Sequence, residues 1–266
     1  MSLALIAGQG DLPAALAAAQ AVPPLVCAYE GAAPEGLVPD LDFRLETLGS
    51  LLVELKARGV REVCLCGAIS RPRLDPSRLD AATAPLVPLF QKALAAGDNG
   101  ALLVIRQIFE EAGFILRGAD TLLPDLLSLA GVLSKRQPDD QMRRDAVRGA
   151  AVLDGLAALD IGQCCVIGRA QVLGVETMGG TDHLLATLPA PARDSAAILC
   201  KGPKKGQIRE IDLPTIGPGT IRAAHRAGLA GIVVAAGDVI ILERDRCVAL
   251  ADEYGLVLWS RPGDGA

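Results

Sequence analysis

Apolar residues fall in short unbroken runs along the first half of the chain, each followed by a segment with helical spacing. Leu3–Ala7 reads as a buried strand, and Gly8-Gln-Gly10-Asp-Leu-Pro13 leads into an Ala-rich helix whose first turn tolerates the proline. Leu25–Tyr29 is a second strand. Thr47–Arg58 carries Leu48, Leu51, Leu52 and Leu55 on one helical face and stops at Gly59. Val63–Cys66 is a third strand, ending at Gly67 and Ser70-Arg71-Pro72. After Gly97-Asp98-Asn99-Gly100 a helix runs to about Ala112, Gly113 ends it, and Phe114–Leu116 returns as strand. Strands alternating with helices and ending at glycines predict an N-terminal Rossmann-like parallel sheet with both faces covered.

The texture changes at Ser134–Asp145, the most polar stretch of the chain, which also carries Pro138. A linker is expected there, separating domains at 1–134 and 140–266. The second half predicts a mixed α/β domain. It starts with a helix over Ala146–Leu159, followed by strands at Cys164–Ile167 and Gln171–Glu176 paired around Gly168-Arg169. Strands at Ala196–Lys201 and Ile208–Asp212 flank a Lys-rich loop, and a helix covers Thr220–Ala227. Gly231–Ala235 and Val239–Leu242 flank Gly237-Asp238, a hairpin signal; a helix at Arg246–Tyr254 and a strand at Leu256–Trp259 close the domain.

Composition narrows the functional classes. The 266 residues are 51% hydrophobic, enough to offset conformational entropy by burial and so to exclude disorder. The net charge of −5, with one Trp, two Tyr and four Phe, argues against nucleic acid as a partner, which needs a basic stripe and stacking aromatics. Seven cysteines, among them Cys64, Cys66, Cys164 and Cys165 in apolar runs, read as reduced core thiols of a cytoplasmic protein. Neither the CxC nor the CC spacing suits zinc, and His183 and His225 are the only histidines. Met1–Gly10 has no Lys or Arg to begin a secretory signal, and the charge-free stretch Leu12–Tyr29 holds Pro13, Pro23 and Pro24. A cytoplasmic protein, with surface association to a membrane left open, is expected.

Several constellations suit phosphate chemistry. Gly8-x-Gly10 sits between a strand and a helix, where backbone N–H groups can approach a phosphate; a plain tight turn explains it equally. Arg71, at the end of the third strand, can clamp a diphosphate or simply precede a helix-starting proline. Asp98 suits a helix N-cap, with a metal or ribose contact as the functional alternative. Gly179-Gly180-Thr181-Asp182 can hold a ligand oxygen or hydrated Mg²⁺, or serve as an ordinary cap. Lys201-Gly-Pro-Lys204-Lys205-Gly-Gln207-Ile-Arg209-Glu210-Ile-Asp212-Leu-Pro214-Thr215-Ile-Gly217 is the richest segment. Its lysines can neutralise phosphate oxygens while Asp212 holds a divalent cation or orients water.

Taken in order, LIAGQGDLP (5–13), GAISRP (67–72), GDN (97–99), DIGQ (160–163), GTD (180–182), KGPK…Q (201–207), DLPTIG (212–217) and AGLAGIVVAAG (227–237) resemble the UDP-2,3-diacylglucosamine diphosphatases of the LpxI type. The resemblance implies a two-domain α/β hydrolase of lipid A biosynthesis with its ligand cleft between the domains. It implies hydrolysis of UDP-2,3-diacylglucosamine to UMP and 2,3-diacylglucosamine 1-phosphate with Mg²⁺ or Mn²⁺ as cofactor, water attacking the sugar-side phosphorus. Asp212 takes the metal-associated position, and Lys201 and Lys204 join it as catalytic residues. Gly8, Gly10, Arg71, Asp98, Thr181, Asp182, Gln207 and Thr215 fall to substrate contacts. A homodimer with transient peripheral contact to the inner face of the inner membrane is also implied. The chain departs from the family pattern at Gly179, where Glu is frequent, and at Ile208-Arg209-Glu210, where an acidic residue is lost and acid and arginine are exchanged. That departure motivates an alternative, a non-catalytic nucleotide- or UDP-sugar-binding regulatory protein of the same fold. A nicotinamide-dependent oxidoreductase using Gly8-x-Gly10 is the third reading, weakened by the missing third glycine.

Overall fold

The computed structural model describes residues 2–69, 74–95, 97–189, 192, 195–204 and 207–263, without the side chains of Asp98 and Asn99. The chain divides into two compact units, one of Met1–Pro124 with Ile208–Asp212, the other of Asp125–Gln207 with Leu213–Ala266.

The first unit follows the alternation seen in the sequence. Its elements are β1 (Ser2–Ala7), α1 (Leu12–Ala19), β2 (Leu25–Tyr29), β3 (Leu41–Phe43), α2 (Leu48–Ala57), β4 (Val60–Cys66), α3 (Val87–Ala95), α4 (Asp98–Glu111), β5 (Ile115–Leu116) and α5 (Ala119–Leu122). The sheet has the order β3-β2-β1-β4-β5, and every neighbouring pair is parallel. Central β1 is covered on both faces, with Ala4, Leu5, Ile6 and Ala7 all buried. Leu48, Leu51, Leu52 and Leu55 of α2 pack with Phe90, Val104, Ile108 and Phe109 of α3 and α4 in one core. Gly97, in extended conformation, is the N-cap of α4, so Asp98 is the first helical residue rather than the cap expected from sequence.

The strand order steps outward from β1 to β2 and β3 on one side and to β4 and β5 on the other, so the switch point, where open α/β sheets usually take ligands, lies between β1 and β4. Here the loops after the two strands pair with each other. Gly8 donates to the Cys66 carbonyl (2.8 Å), and Gln9 and Ala68 exchange two backbone hydrogen bonds of 2.9 Å. A Cβ at Gly8 would lie 2.5 Å from the Ala68 oxygen, and one at Gly67, whose φ is +82°, would lie 2.5 Å from the Gly8 oxygen. The absent side chain of Gly8 is thus explained by this close approach.

The second unit comprises β6 (Gly131–Val132), α6 (Asp140–Ala157), β7 (Cys164–Gly168), β8 (Gln171–Val175), α7 (Gly180–Ala186), β9 (Ile198–Lys201), β10 (Thr215–Ile216), α8 (Pro218–Arg226), β11 (Gly231–Ala235), β12 (Ile240–Ile241), α9 (Arg244–Glu253) and β13 (Val257–Arg261). Its six-stranded sheet has the order β6-β13-β11-β9-β7-β8. β13, β11 and β9 are parallel; β6, β7 and β8 run antiparallel to their neighbours. The expected α/β class, a Rossmann-like parallel sheet followed by a mixed one, is the class observed.

Three local expectations are corrected. The polar stretch Ser134–Asp145 is not a linker: the units part at Pro124/Asp125, and β6 already belongs to the second sheet. The stretch is polar because Ser134 accepts the Leu258 N–H (2.8 Å) and Asp139 caps α6 through the Met142 N–H (2.8 Å). Gly237-Asp238 does not close a hairpin, because β12 pairs in parallel with β10 and Gly237 donates to the Ser128 carbonyl. Ile208–Asp212 is a turn, with the Ile208 carbonyl accepting from both Ile211 (3.1 Å) and Asp212 (2.9 Å).

The β7–β8 pairing is as expected, but the turn falls on Arg169 and Ala170, whose φ values are +50° and +62°. Asp145 holds it there. Met142, Asp145, Ala146 and Gly149 form the buried face of α6, and the Asp145 carboxylate accepts the Arg169 N–H (3.0 Å) and the Ala170 N–H (2.7 Å). These two bonds compensate a backbone conformation that costs side-chain-bearing residues free energy.

The loop pairing at β1 and β4 is open to a direct test. Gly67→Ala should lower the unfolding free energy by about 2–4 kcal/mol, from the positive φ and the backbone clash together. Gly59 has a similar φ of +72° but open space around its Cβ position, so Gly59→Ala should show only the smaller conformational part. Urea titration of the two variants checks this, and equal losses would remove the close approach as the constraint.

Candidate active site

β9 is a central strand, flanked by β7 and β11, and its residues alternate between two cores. Ile198 and Cys200 face one, Ala197 and Leu199 the other. Lys201, next in alternation after Leu199, therefore brings an ammonium to the end of a buried strand and is itself only 7% exposed. Its register partner across the sheet is Cys164, whose thiol is pushed above the ordinary range by burial, with the Lys201 charge acting in the opposite direction.

A charge so placed needs partners. The Lys201 ammonium donates to the Thr181 hydroxyl (2.8 Å), which donates to Glu176 Oε1 (2.7 Å). The other carboxylate oxygen of Glu176 accepts the Gln163 N–H (2.8 Å), and Glu176 is 6% exposed. Thr181 lies in the first turn of α7, Glu176 just beyond β8 and Gln163 just before β7, so three element ends converge on the end of β9. Gly162, at φ +50°, permits this approach, because a Cβ there would collide with the Glu176 carbonyl.

The network continues through the loop after β9. The Gln163 side-chain oxygen accepts from Gln207 Nε2 (3.2 Å), and Gln207 Oε1 accepts the Lys204 N–H (2.7 Å). The Lys204 ammonium meets Asp160 Oδ1 at 2.7 Å, largely sheltered from solvent. Thr181, Lys201, Lys204 and Gln207, singled out in the sequence, are thus brought into one hydrogen-bonded cluster. Asp160, Gln163 and Glu176 complete it, although sequence reasoning assigned them no role. The signal available was the DIGQ segment, which supplies two of the three.

The other candidates sit on other segments of the chain or beside Thr181 on α7. Asp182 is exposed on α7, and Thr215 sits on β10 with its hydroxyl bonded to the Leu213 carbonyl (3.2 Å). Gly8 and Gly10 belong to the β1–α1 loop of the first unit; Gly10 takes φ +96° with open space beside it. Asp98 opens α4, its side chain outside the description, and Arg71 lies outside the described residues altogether. Asp212 is half-buried and closes the Ile208–Asp212 turn, which groups with the first unit. There Arg209 Nη2 reaches Asp120 Oδ2 (3.1 Å), and the Arg209–Glu210 backbone packs over Gly118. The exchange of acid and arginine at 209 and 210 is therefore an exchange within a turn, with Arg209 spent on an ion pair.

Chemically the cluster in the second unit is suited to an anion. Among the described residues Thr181 is the one hydrogen-bond partner of the Lys201 ammonium, which leaves two of its three N–H groups for a ligand. No group of three or more His, Cys, Asp or Glu side chains that could cage a metal occurs among the described residues.

A parallel-sheet unit joined to a mixed-sheet unit that ends a central strand in a buried lysine defines a two-unit α/β protein. The family model for the LpxI N-terminal domain matches residues 2–126, and that for the LpxI C-terminal domain matches residues 129–259. The chain is 35% identical to the UDP-2,3-diacylglucosamine pyrophosphatase LpxI of Caulobacter vibrioides, over 96% of its own length and 95% of that protein's. It belongs to the LpxI family.

If Lys201 and Lys204 meet a diphosphate, UDP should bind, and either Lys201→Met or Lys204→Met should weaken it about tenfold, or about 1.4 kcal/mol. Calorimetric titration with UDP checks this; unchanged affinity in both variants would exclude the cluster as the anion site.

Proposed function

We propose that the chain hydrolyses the diphosphate of UDP-2,3-diacylglucosamine, releasing UMP and 2,3-diacylglucosamine 1-phosphate. The observation that carries this reading is the buried Lys201 ammonium, two of whose N–H groups have no partner among the described residues, in a chain that belongs to the LpxI family. The water oxygen bonds to the sugar-side phosphorus and the bond from that phosphorus to the bridging oxygen breaks. UMP departs with the bridging oxygen, and the water's protons pass to solvent. Negative charge gathers on the phosphoryl oxygens and the bridging oxygen as this occurs. Lys201 and Lys204 neutralise part of it, in a setting where a fixed charge acts more strongly than in water.

The donor chemistry fits Mg²⁺ or Mn²⁺ in a particular form. Mg²⁺ retains several waters and commonly takes one or two carboxylates together with substrate phosphates. In this reading Asp212 supplies the carboxylate and the substrate supplies the phosphate oxygens. When bound, the ion offsets diphosphate charge that two lysines only partly match. Exposed apolar side chains beside the cluster favour a lipid substrate. Leu159, 69% exposed, precedes Asp160, and Met178, 99% exposed, stands shortly before Thr181. Each acyl CH₂ kept from water is worth about 0.8 kcal/mol. No helix among the described residues is long and apolar enough to cross a membrane, and transient peripheral contact is the mode proposed.

Incubation with UDP-2,3-diacylglucosamine and Mg²⁺ should release UMP and the sugar 1-phosphate in equal amounts. Excess chelator should abolish the release, and Mg²⁺ or Mn²⁺ should restore it. Undiminished turnover in chelator would overturn the metal role, and binding without any UMP would favour the regulatory alternative.

Asp212→Ala should lower turnover by about 10²-fold or more while leaving UDP affinity within a few-fold of the parent. Rapid-quench or steady-state assays beside the UDP titration separate the two quantities. Near-normal turnover would reduce Asp212 to a residue of its turn.

A further inference from the structure

We infer that Glu176 is a positioning residue for the Lys201 ammonium and acts through the Thr181 hydroxyl. The inference rests on the reading that Lys201 meets the substrate's diphosphate. An ammonium only donates hydrogen bonds and a carboxylate only accepts them, so the single proton of the hydroxyl between them has one possible direction. Lys201 donates to Thr181 at 2.8 Å and Thr181 donates to Glu176 at 2.7 Å.

Both ends of this relay are sheltered, at 7% exposure for Lys201 and 6% for Glu176. The carboxylate is fixed from its other side by the Gln163 N–H at 2.8 Å, and the backbone N–H of Glu176 donates to the Cys164 carbonyl at 2.9 Å. Glu176 therefore has no freedom to follow the ammonium. The ammonium must take its position from the carboxylate. One N–H points into the relay, and the other two project at angles set by it. Glu176 also supplies the negative charge that a buried ammonium requires before any ligand arrives.

Such an arrangement acts on the chemical step more than on binding. Charge on the transferred phosphoryl group is redistributed as the bridging bond breaks, and a pre-aimed donor meets it without reorganisation. A donor displaced by a fraction of an ångström still attracts the diphosphate but no longer matches the developing charge.

Glu176→Gln removes the charge and keeps an acceptor oxygen for Thr181. It should stay folded, with kcat lower by about 10- to 100-fold and KM changed by less than about threefold. In a Lys201→Met background the same substitution should cost nothing further in kcat, because the group through which it acts is gone. An equal loss in both backgrounds would show that Glu176 acts independently of Lys201 and would overturn the inference. If Glu176→Gln does not fold, Thr181 decides: Thr181→Val should reproduce the kcat loss, and Thr181→Ser, which keeps the hydroxyl, should restore it. Equal activity of the Val and Ser variants would likewise overturn it. Should the wild-type protein release no UMP, the proposed function fails, and the relay is then judged on UDP affinity. Non-additive effects of Glu176→Gln and Lys201→Met on that affinity would support the relay, and additive effects would exclude it.

Discussion

Burying the Lys201 ammonium at the end of β9 requires hydrogen-bond acceptors and a counter-charge within a few ångströms, and much of the second unit's local geometry answers that requirement. Thr181 supplies the acceptor, which fixes where α7 begins. Glu176 supplies the charge, which fixes how the chain leaves β8. Gln163 closes the carboxylate, and Gly162 must then take a left-handed conformation against the Glu176 backbone. Asp160, also at positive φ (+54°), turns its carboxylate to Lys204. Two residues with positive φ, Asp160 and Gly162, thus fall in a segment of four that serves both cations.

The first unit solves a different problem with the same economy. The crevice at the carboxyl ends of β1 and β4 is where a Rossmann-type strand order would admit a ligand, and here the two loops that bound it are stitched together through Gln9 and Ala68. Gly8 and Gly67 allow that stitching, so a glycine pattern that reads as a phosphate motif has an internal structural cause. The glycine that leaves open space is Gly10.

Much of this was legible in the chain itself. Strand and helix positions in the first unit follow from apolar runs and from the Leu48, Leu51, Leu52, Leu55 spacing, because each parallel strand is buried on both faces and each helix on one. Legibility failed where one residue type serves two purposes. The polarity of Ser134–Asp145 came from caps and a helix surface rather than from a linker. Ile208 and Ile211, both buried, are three residues apart, a turn spacing that apolar content alone misread as strand. Glu176 was hidden because it ends an alternating strand, where an acidic residue normally marks solvent. Its burial depends on Thr181 and Gln163, neither adjacent in sequence, and no local pattern encodes that convergence.

The Ile208–Asp212 turn belongs by its packing to the first unit, yet the chain makes it only after Asp125–Gln207 has been laid down in the second. During synthesis the first unit can form its sheet early, but it lacks the turn that sets Arg209 against Asp120 until the ribosome has passed both stretches. The order of translation and the order of assembly therefore differ. The first unit has its sheet but lacks this turn while β6 to β9 emerge. A polypeptide cut at the border of the two units would likewise lose the buried side chains of Ile208 and Ile211 from its N-terminal fragment and leave them exposed on the other. In this chain the two family matches are thus continuous in sequence, whereas the folded units are interleaved along it, and the first unit receives its last segment from within the second match.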